Sequence, residues 1–359
     1  MTQRERQILQ WIEQDPMISQ EALAEKAGIT RSSVAVHISN LIKKGYIIGK
    51  GYVLRSGTYA AVVGGVNMDI GGQSDGPLVP GDSNPGRVRI SLGGVGRNIA
   101  HNMALLGLDV RFLTAFGDDL YAQRIAASCG ELGIDISQAL RVPGGSTSTY
   151  LYLNGPDGDM ALAVSDMDIC RKMTPQFLAS RLTLLKGAQL IVADANLPTE
   201  SLRFLADHGA APLFVDPVST VKAEKLRPIL GKIHTLKPNR MEAELLSGVA
   251  ITNEESLRQA AQVLLDTGLR RVFISLGSRG LFAADHRESL LLPCRPAAPV
   301  NATGAGDAFM AGLAWAYLEG TDLRGTALAG ASAGAIAIEG SETINPALSP
   351  EALRARMDR

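Results

Sequence analysis

Seven residues near the C-terminal end of the chain combine a run of small residues with a carboxylate. They read Asn-Ala-Thr-Gly-Ala-Gly-Asp over residues 301–307 and precede an apolar stretch that predicts a helix over residues 307–318. The small residues Gly304, Ala305 and Gly306 let successive backbone N–H groups point at one oxyanion, and the helix adds the positive end of its dipole. Asp307 could then remove the proton of a hydroxyl group, so the segment suits phosphoryl transfer. The alternative is a glycine-rich turn in which Asp307 only caps the helix.

Composition favours a globular protein of two or three domains. The 359 residues are 46% hydrophobic and 20% charged, with a net charge of −1. The longest apolar runs are strand-sized and residues 1–6 are too polar for a secretory signal, so we expect a cytoplasmic protein with no membrane partner. The cysteines, Cys129, Cys170 and Cys294, are far apart and lack metal-ligand spacing. We therefore expect neither a zinc site nor a disulfide framework.

The first 55 residues differ from the rest in charge and texture. They carry a net charge of +3 and few glycines, whereas the remaining residues carry −4 and are rich in glycine. This change predicts a domain boundary near residues 56–58. Two domains follow, residues 1–55 and residues 56–359.

Three short helices and a wing are predicted in the first domain. Ser19 and Thr30 stand at N-cap positions of the second and third helices. Four apolar residues of the third helix share a spacing that should turn them inward: Val34, Ile38, Leu41 and Ile42. Residues 45–54 alternate apolar residues around glycines, as a small β-hairpin does. The domain resembles winged helix-turn-helix DNA-binding domains.

That resemblance implies a DNA-reading surface on the third helix. Its first residues, Arg31, Ser32 and Ser33, would meet base edges in the major groove, and Lys50 on the wing would lie near phosphate. A charge of +3 allows few phosphate contacts, so DNA binding would need a dimer with paired half-sites. The alternative is a helical module that packs on the second domain or mediates dimerisation.

Buried strands alternate with helices from residue 59 onward. The predicted strands cover residues 60–63, 110–113, 190–193, 213–215 and 272–274. The predicted helices cover residues 98–106, 120–132, 201–208, 254–267 and 323–338. This alternation favours a parallel sheet with helices on both faces and ligands at the carboxyl ends of its strands.

Two regions, near residues 70–92 and 146–165, do not follow the βα rhythm. Within them, residues 88–92 and 148–164 predict short antiparallel strands, the second a hairpin that turns at residues 154–158. Strands that project from an α/β body could form a lid over a site.

Two common nucleotide-binding motifs are absent from the sequence. A P-loop needs Gly-Lys followed by Ser or Thr, and neither Gly-Lys pair, at residues 49–50 and 231–232, meets that condition. Residues 94–99 begin like a dinucleotide-binding fingerprint but end in Ile99 instead of glycine. Dinucleotide chemistry is therefore disfavoured.

Five segments in the same order resemble the ribokinase-like (PfkB) sugar and nucleoside kinases across residues 59–350. They are Gly-Val-Asn-Met-Asp at 65–69, Gly-Gly-Val-Gly-Arg-Asn at 93–98, Lys-Pro-Asn-Arg-Met-Glu-Ala-Glu at 237–244, Ser-Leu-Gly-Ser-Arg-Gly at 275–280 and the segment 301–307. One such motif is weak, whereas five in order are specific. Residues 82–86, 93–102 and 235–240 are especially similar to pseudouridine kinases. The resemblance implies a three-layer α/β fold with a small β lid, and ATP and Mg²⁺ as ligands.

The resemblance also implies roles for the two polar motifs nearest the phosphates. Asp307 matches the catalytic base, and the N–H groups of residues 304–306 match the anion hole. Asn239 and Glu242 match the motif that orders Mg²⁺ and its waters. The same pair is close to a capping box, so a helix cap is the alternative, and both roles can coexist.

Further positions match the substrate sites of the family. The ribose pocket would contain Asn67, Asp69, Gly93, Gly94 and Asn98. Thr149 and Asp166 would reach the base of a nucleoside, the alternatives being an ordinary strand threonine and a solvated acidic loop. The ATP site would contain Asp216, Ser275, Gly277 and Gly280, with adenine against the small residues of 330–337.

Asn301 departs from the family pattern. Many relatives carry Asp at this position, where it helps to hold a monovalent cation, so activation by K⁺ is in doubt while Asp307 is unaffected. We expect an ATP-dependent kinase for the 5′-hydroxyl of a ribonucleoside, with pseudouridine favoured as the acceptor. The alternatives are a kinase for another nucleoside or for free ribose or fructose, and a ligand-sensing transcriptional regulator built on a kinase fold. A homodimer is expected, because a second lid could cover the exposed strand edges.

Overall fold

The computed structural model describes residues 1–15, 18–47 and 59–358. The chain divides into two compact units, Met1–Thr58 and Tyr59–Arg359. Within the described ranges, no helix is long and apolar enough to span a bilayer.

Three helices form the N-terminal unit: α1 Gln3–Gln14, α2 Gln20–Ala27 and α3 Arg31–Lys43. Ser19 and Thr30 cap α2 and α3 as predicted, since their side chains accept the N–H groups of Ala22 and Ser33. The buried core of the unit is aliphatic and consists of Ile8, Ile12, Ile18, Leu23, Val34, Ile38, Leu41 and Ile47.

The inward position predicted for Ile42 is wrong, because 49% of this residue is exposed. At 100° per residue, Ile42 lies about 80° around the helix from Val34, at the edge of the buried stripe. Of the predicted wing, residues 48–54 lie outside the described residues, and Lys50 with them.

The second unit alternates strands and helices as predicted. Its strands are β1 Tyr59–Val63, β2 Asn67–Ser74, β3 Gly86–Gly93, β4 Asp109–Leu113, β5 Ala115–Phe116, β6 Leu140–Arg141, β7 Thr149–Asn154, β8 Met160–Asp166, β9 Leu190–Asp194, β10 Leu213–Asp216, β11 Thr235–Leu236, β12 Arg271–Ser275, β13 Leu281–Asp285 and β14 Ser289–Leu292. Its α-helices are α4 Val95–Leu105, α5 Leu120–Glu131, α6 Pro175–Ala179, α7 Leu182–Gly187, α8 Thr199–His208, α9 Thr220–Ala223, α10 Arg240–Ser247, α11 Glu254–Asp266, α12 Ala305–Leu318, α13 Leu323–Ile338 and α14 Pro350–Met357.

The main sheet has eight strands in the order β14-β13-β12-β11-β10-β9-β1-β4. Strands β12, β11, β10, β9, β1 and β4 are parallel, whereas β13 and β14 are antiparallel to their neighbours. The expectation of a parallel sheet therefore fails at this edge. The connection from β12 to β13 holds only a 3₁₀ turn, Gly277–Arg279, which is too short for a parallel crossover.

Helices cover both faces of the main sheet, which gives the predicted three layers. Ala61 and Val63 of β1 belong to the core on one face, whereas Ala60 and Val62 belong to the core on the other. Such two-sided burial explains why the strands are continuously apolar.

The lid is a separate four-stranded sheet in the order β3-β2-β7-β8. Strands β7 and β8 form the predicted hairpin, and β3 pairs antiparallel with β2. Because β2 follows β1 closely, the first residues of β2 lie at the carboxyl end of the main sheet.

Candidate active site

The start of α12 places Asp307 inside the protein. Gly304 precedes the helix with φ +82°, and a Cβ at this position would collide with the carbonyl oxygen of Thr343. The helix begins at Ala305, two residues earlier than predicted, so Asp307 lies in its first turn and is not its N-cap. The residue is 9% exposed, and its carboxylate accepts a 2.9 Å hydrogen bond from Nδ2 of Asn98. The interpretation of Asp307 as a helix cap is therefore wrong.

Backbone donors at the same helix start remain available for an anion. The N–H of Ala305 makes a long 3.4 Å contact with the carbonyl of Ala302, and within the described chain the N–H of Gly306 has no hydrogen-bond partner. The first N–H groups of a helix have no acceptor inside it, and they sit at the positive end of the dipole. The glycine-rich turn can therefore hold an anion next to Asp307.

The pKa of Asp307 is raised to about 8, chiefly by burial and also by the nearby carboxylate of Asp216. The hydrogen bond from Asn98 and the charge of Lys237 act in the opposite direction. A carboxyl with a pKa near neutrality can exchange a proton with a hydroxyl group during a reaction.

Two aspartates and a lysine line the carboxyl ends of the central strands. Asp216 ends β10, and its Oδ2 lies 3.1 Å from Nζ of Lys237 in a buried ion pair. Burial lowers the pKa of Lys237, but the charge and hydrogen bond of Asp216, together with the charges of Glu242 and Asp307, outweigh that effect and the net shift is upward. Asp194 ends β9 and accepts the N–H groups of Gly65 and Asn196, so it holds the loop after β1.

The sequence motifs assign no role to Lys237 or Asp194. The signal was present, because each follows or ends an apolar strand at the edge where ligands bind in open α/β sheets.

The predicted metal pair, Asn239 and Glu242, forms a capping box at the start of α10. Asn239 Oδ1 accepts the N–H of Glu242 at 2.9 Å, and Glu242 Oε2 accepts the N–H of Asn239 at 2.8 Å. Burial raises the pKa of Glu242, and the charge of Asp216 adds to this. No group of three or more His, Cys, Asp or Glu side chains suited to a metal was found in the described part of the chain. Because the only side-chain oxygen of Asn239 and one of the two carboxylate oxygens of Glu242 are engaged, the pair fits Mg²⁺ that keeps most of its waters and binds phosphate.

A cavity of about 460 Å³ adjoins the start of α12. The predicted ATP residues Ser275, Gly277 and Gly280 line it together with Ala305 and Gly306. Small residues of α13 complete the wall, among them Ala331, Gly334 and Ala335. Asp216, also predicted for the ATP site, does not line this cavity. Its ion-pair partner Lys237 does line it. The volume is within the range of ordinary ligand sites.

A pair of polar side chains at the start of β2 forms the predicted acceptor group. Asn67 Nδ2 donates to Asp69 Oδ1 at 2.5 Å, and burial raises the pKa of Asp69. A Cβ on Gly93 would collide with the carboxylate of Asp69, and Gly94 has φ +96°, so both glycines are required by the backbone here. The structure thus brings Asn67, Asp69, Gly93 and Gly94 together, and Asn98 lies one turn into α4.

A second cavity of about 720 Å³ extends from Asp69 beneath the lid. Lid side chains that line it are Arg89, Ile90, Ser91, Tyr150, Tyr152, Asn154 and Met160, and Asn301 and Thr303 line its other side. Thr149 and Asp166, predicted to contact a base, face each other as a register pair of β7 and β8 and are outside this lining. The tyrosines and Arg89 were not singled out from the sequence, because their approach to Asp69 depends on strand register.

In the N-terminal unit, the predicted DNA-reading residues lie at the start of α3. Arg31 is exposed and lies 3.5 Å from Glu21, and Ser32 is also exposed. The hydroxyls of Ser32 and Ser33 lie 3.0 and 2.9 Å from that of Thr30.

Two family models match the chain. Residues 58–350 match the pfkB family carbohydrate kinases, and residues 1–48 match a winged helix-turn-helix DNA-binding model. Among curated proteins, an uncharacterized sugar kinase, YeiI of Escherichia coli (strain K12), is 40% identical over 98% of both chains. The pseudouridine kinase of the same organism is 39% identical over 82% of this chain and 95% of its own.

Solved structures agree with these matches. A carbohydrate kinase from Agrobacterium tumefaciens is 29% identical and covers 84% of this chain and 97% of its own, with a TM-score of 0.74. An Arabidopsis thaliana ribokinase, solved with ribose and ATP, shares the fold at 22% identity over 84% and 99% of the two chains, with a TM-score of 0.75. The predicted family and fold are confirmed. The chain belongs to the pfkB family of sugar and nucleoside kinases, which transfer phosphoryl groups to hydroxyls, and it carries a winged helix-turn-helix segment at its N-terminus.

Proposed function

We propose that this chain transfers the γ-phosphoryl group of ATP to the 5′-hydroxyl of a ribonucleoside, with pseudouridine as the preferred acceptor. The observation that carries the proposal is that one loop borders both cavities. Ala302, Ala305 and Gly306 line the 460 Å³ cavity, whereas Asn301 and Thr303 line the 720 Å³ cavity beside Asp69. A donor in the first cavity and an acceptor in the second would meet at Asp307.

The residues around this meeting point suit an in-line transfer. Asp307 accepts the proton of the acceptor hydroxyl. At the same time, the hydroxyl oxygen forms a bond to the γ-phosphorus, and the bond between that phosphorus and the leaving ADP oxygen breaks. The N–H of Gly306 and the helix dipole stabilise the charge on the transferred group, and Lys237 borders the same cavity. Mg²⁺ bound to the phosphates would neutralise charge there, with Asn239 and Glu242 ordering its waters.

The preference for pseudouridine rests on similarity and on the shape of the second cavity. A pseudouridine kinase is 39% identical to this chain, over 82% of this chain and 95% of the kinase. Two lid residues that line this cavity, Tyr150 and Tyr152, offer aromatic faces to a base, and Asp69 offers a carboxylate to ribose hydroxyls.

ATP consumption tests the proposal when it is measured with pseudouridine, uridine, inosine, ribose and fructose as acceptors. We expect the highest kcat/KM for pseudouridine and a loss of about 10³-fold in kcat for Asp307→Asn. Asp168→Asn is the matched control, because Asp168 is exposed and pairs with Arg171 at the surface. Absence of turnover with every acceptor would contradict the assignment as a kinase. A preference for ribose would contradict the assignment of a nucleoside as the acceptor.

The N-terminal unit is proposed to bind DNA as part of the intact protein. Arg31 is exposed at the start of α3, where recognition helices contact base edges. We expect Arg31→Ala to weaken binding of a specific duplex about tenfold while kcat is unchanged. Lys26→Ala in α2 serves as a control for general charge. Equal losses of DNA affinity in the two variants would show that the unit attracts DNA only through its charge, without reading bases.

Activation by a monovalent cation such as K⁺ should be weak in this chain. Asn301 Oδ1 accepts the N–H of Thr303 at 2.9 Å and Nδ2 donates to the carbonyl of Ser341 at 3.2 Å, so the neutral amide closes the loop through hydrogen bonds. We expect kcat in choline chloride to be close to kcat in KCl, and Asn301→Asp to increase the ratio between them. A strict requirement for K⁺ in the native chain would contradict this.

A further inference from the structure

Arg97 is a buried charge to which the transfer described above gives no role. It follows Gly96 at the start of α4 and is 5% exposed. Among the residues that the structure describes, no carboxylate lies within ion-pair distance of its guanidinium. Burying a charge without an ion-pair partner is costly, so a neutral residue would be favoured here on stability alone.

The guanidinium donates to neutral oxygens, and one of them belongs to Asn98. Nη1 lies 3.3 Å from the carbonyl of Leu92 and 3.3 Å from Asn98 Oδ1, and Nη2 lies 3.4 Å from Ser128 Oγ. The amide of Asn98 has one accepting end and one donating end. With Oδ1 directed to Arg97, the Nδ2 group is left for Asp307, which it reaches at 2.9 Å.

A flipped amide would have the opposite effect. It would place Oδ1 of Asn98 against the Asp307 carboxylate, where two acceptors repel each other and the carboxylate could not be held for the incoming hydroxyl. Asn98 alone does not exclude this flip, because no other donor to its Oδ1 is found in the described chain.

The charge of Arg97 also acts on both carboxylates of the acceptor side. Burial lowers the pKa of Arg97, and the charges of Asp69 and Asp307 oppose that shift. The other charged groups that act on Asp307 are Lys237, which is favourable, and the aspartates at the ends of β9 and β10, which are not. Arg97 therefore adds positive charge near both carboxylates from the start of α4, where its N–H donates to the carbonyl of Gly65 after β1.

We propose that Arg97 is a positioning residue for phosphoryl transfer, which locks the Asn98 amide in the orientation that donates to Asp307. The inference rests on the proposed function, since it assigns a role within that reaction.

A double-mutant cycle tests this inference in the full-length enzyme. Arg97→Met, Asn98→Ala and the double variant are compared with the wild type at saturating ATP and acceptor. We expect each single variant to lower kcat about 10- to 100-fold, as misplacement of a reacting group does. The double variant should be no slower than Asn98→Ala by more than about twofold, because Arg97 acts through Asn98. KM for ATP should stay within about threefold of the wild type, since the nucleotide cavity is not lined by Arg97.

Two further variants separate positioning from folding. Arg111→Met is the matched control, because Arg111 stacks on Tyr59 at the amino end of β1, away from the site, and we expect it to keep kcat. Arg97→Lys retains the charge and one donor, so it should recover part of the lost kcat. If Arg97→Met unfolds, the same cycle is measured with Arg97→Lys.

Losses that multiply in the double variant would overturn the inference while the kinase assignment stands. Wild-type kcat in Arg97→Met would overturn it as well. If the wild type turned over no acceptor, the proposed function would fail first and this inference with it.

Discussion

Asp307 is the residue whose surroundings determine the pH at which the enzyme works. Its pKa is raised to about 8 by burial first and then by Asp216. A base must be deprotonated before it can take a proton, so kcat/KM should rise about tenfold per pH unit from pH 6 to pH 7 and reach a plateau above pH about 8. Steady-state rates between pH 6 and 9 measure this profile. A flat profile over that range would show that Asp307 is already ionised.

The same pKa predicts an effect on stability. Because the folded pKa lies above the unfolded value of 3.8, the folded state binds the proton more tightly, and wild-type stability falls as pH rises from about 4 to about 8. Asp307→Asn has no such proton, and its amide oxygen can still accept from Asn98. At pH 8.5 we expect the free energy of unfolding of the variant to be about 1 to 3 kcal/mol higher than that of the wild type, so the variant is more stable. At pH 4 the two values should differ little. Urea titrations at both pH values check the sign. A variant less stable at pH 8.5 would contradict the assigned pKa.

At the scale of single residues, the sequence indicated the chemistry but not the contacts. Residues 301–307 predicted an anion site with a carboxylate, and the structure has Gly306 and Asp307 at a helix start. The hydrogen bond between Asn98 and Asp307 joins residues 209 positions apart, so only the folded chain reveals it. Burial, too, is revealed only by the folded chain, since nothing in the sequence shows that the charge of Arg97 is enclosed.

Among the elements, the lid strand β3 carries two arginines that differ in what they line. Both arginines border a smaller lid cavity, but Arg89 also lines the 720 Å³ cavity beside Asp69, whereas Arg87 does not. A Cβ at Gly71 would lie 2.5 Å from the hydroxyl of Tyr152, so this glycine lets the tyrosine ring cross the strand toward Arg89. A base on Tyr152 would thus meet the guanidinium.

Arg89→Met should therefore raise KM for a uracil nucleoside, because a guanidinium donates well to carbonyl oxygens. We expect an increase of about tenfold with kcat unchanged, consistent with loss of one charge-assisted hydrogen bond. Arg87→Met is the matched control and should leave KM within about twofold. Equal effects of the two variants would place the base elsewhere.

Predictions for the elements failed where two patterns could look alike. The hairpin of β7 and β8 was predicted because Asn-Gly-Pro-Asp-Gly marks its turn, and the structure has it. The antiparallel edge formed by β13 and β14 was missed, because an apolar strand next to a short turn reads the same in a parallel sheet. Helix starts moved by two or three residues where a glycine precedes the helix, as at Gly94 and Gly304.

For the whole molecule, the lid offers an apolar face that a second chain could cover. Cross-strand register puts Ile70, Leu151 and Val164 in one row and Leu153 and Leu162 in the next. Leu151, Leu153, Leu162 and Val164 are 40%, 36%, 54% and 61% exposed. A contiguous apolar face on a thin sheet is typical of an interface, and two-fold symmetry would pair it with itself.

Dimerisation through this face gives the last prediction. We expect the full-length protein to elute as a dimer, and Leu162→Lys and Val164→Lys to convert it to a monomer, because each would bury an unpaired charge at the interface. Val221→Lys is the matched control, since Val221 lies on α9 outside the lid and is 83% exposed. Light scattering after size exclusion measures the mass of each species. A monomeric wild type would contradict the dimer, and dimeric lid variants would move the interface to another surface.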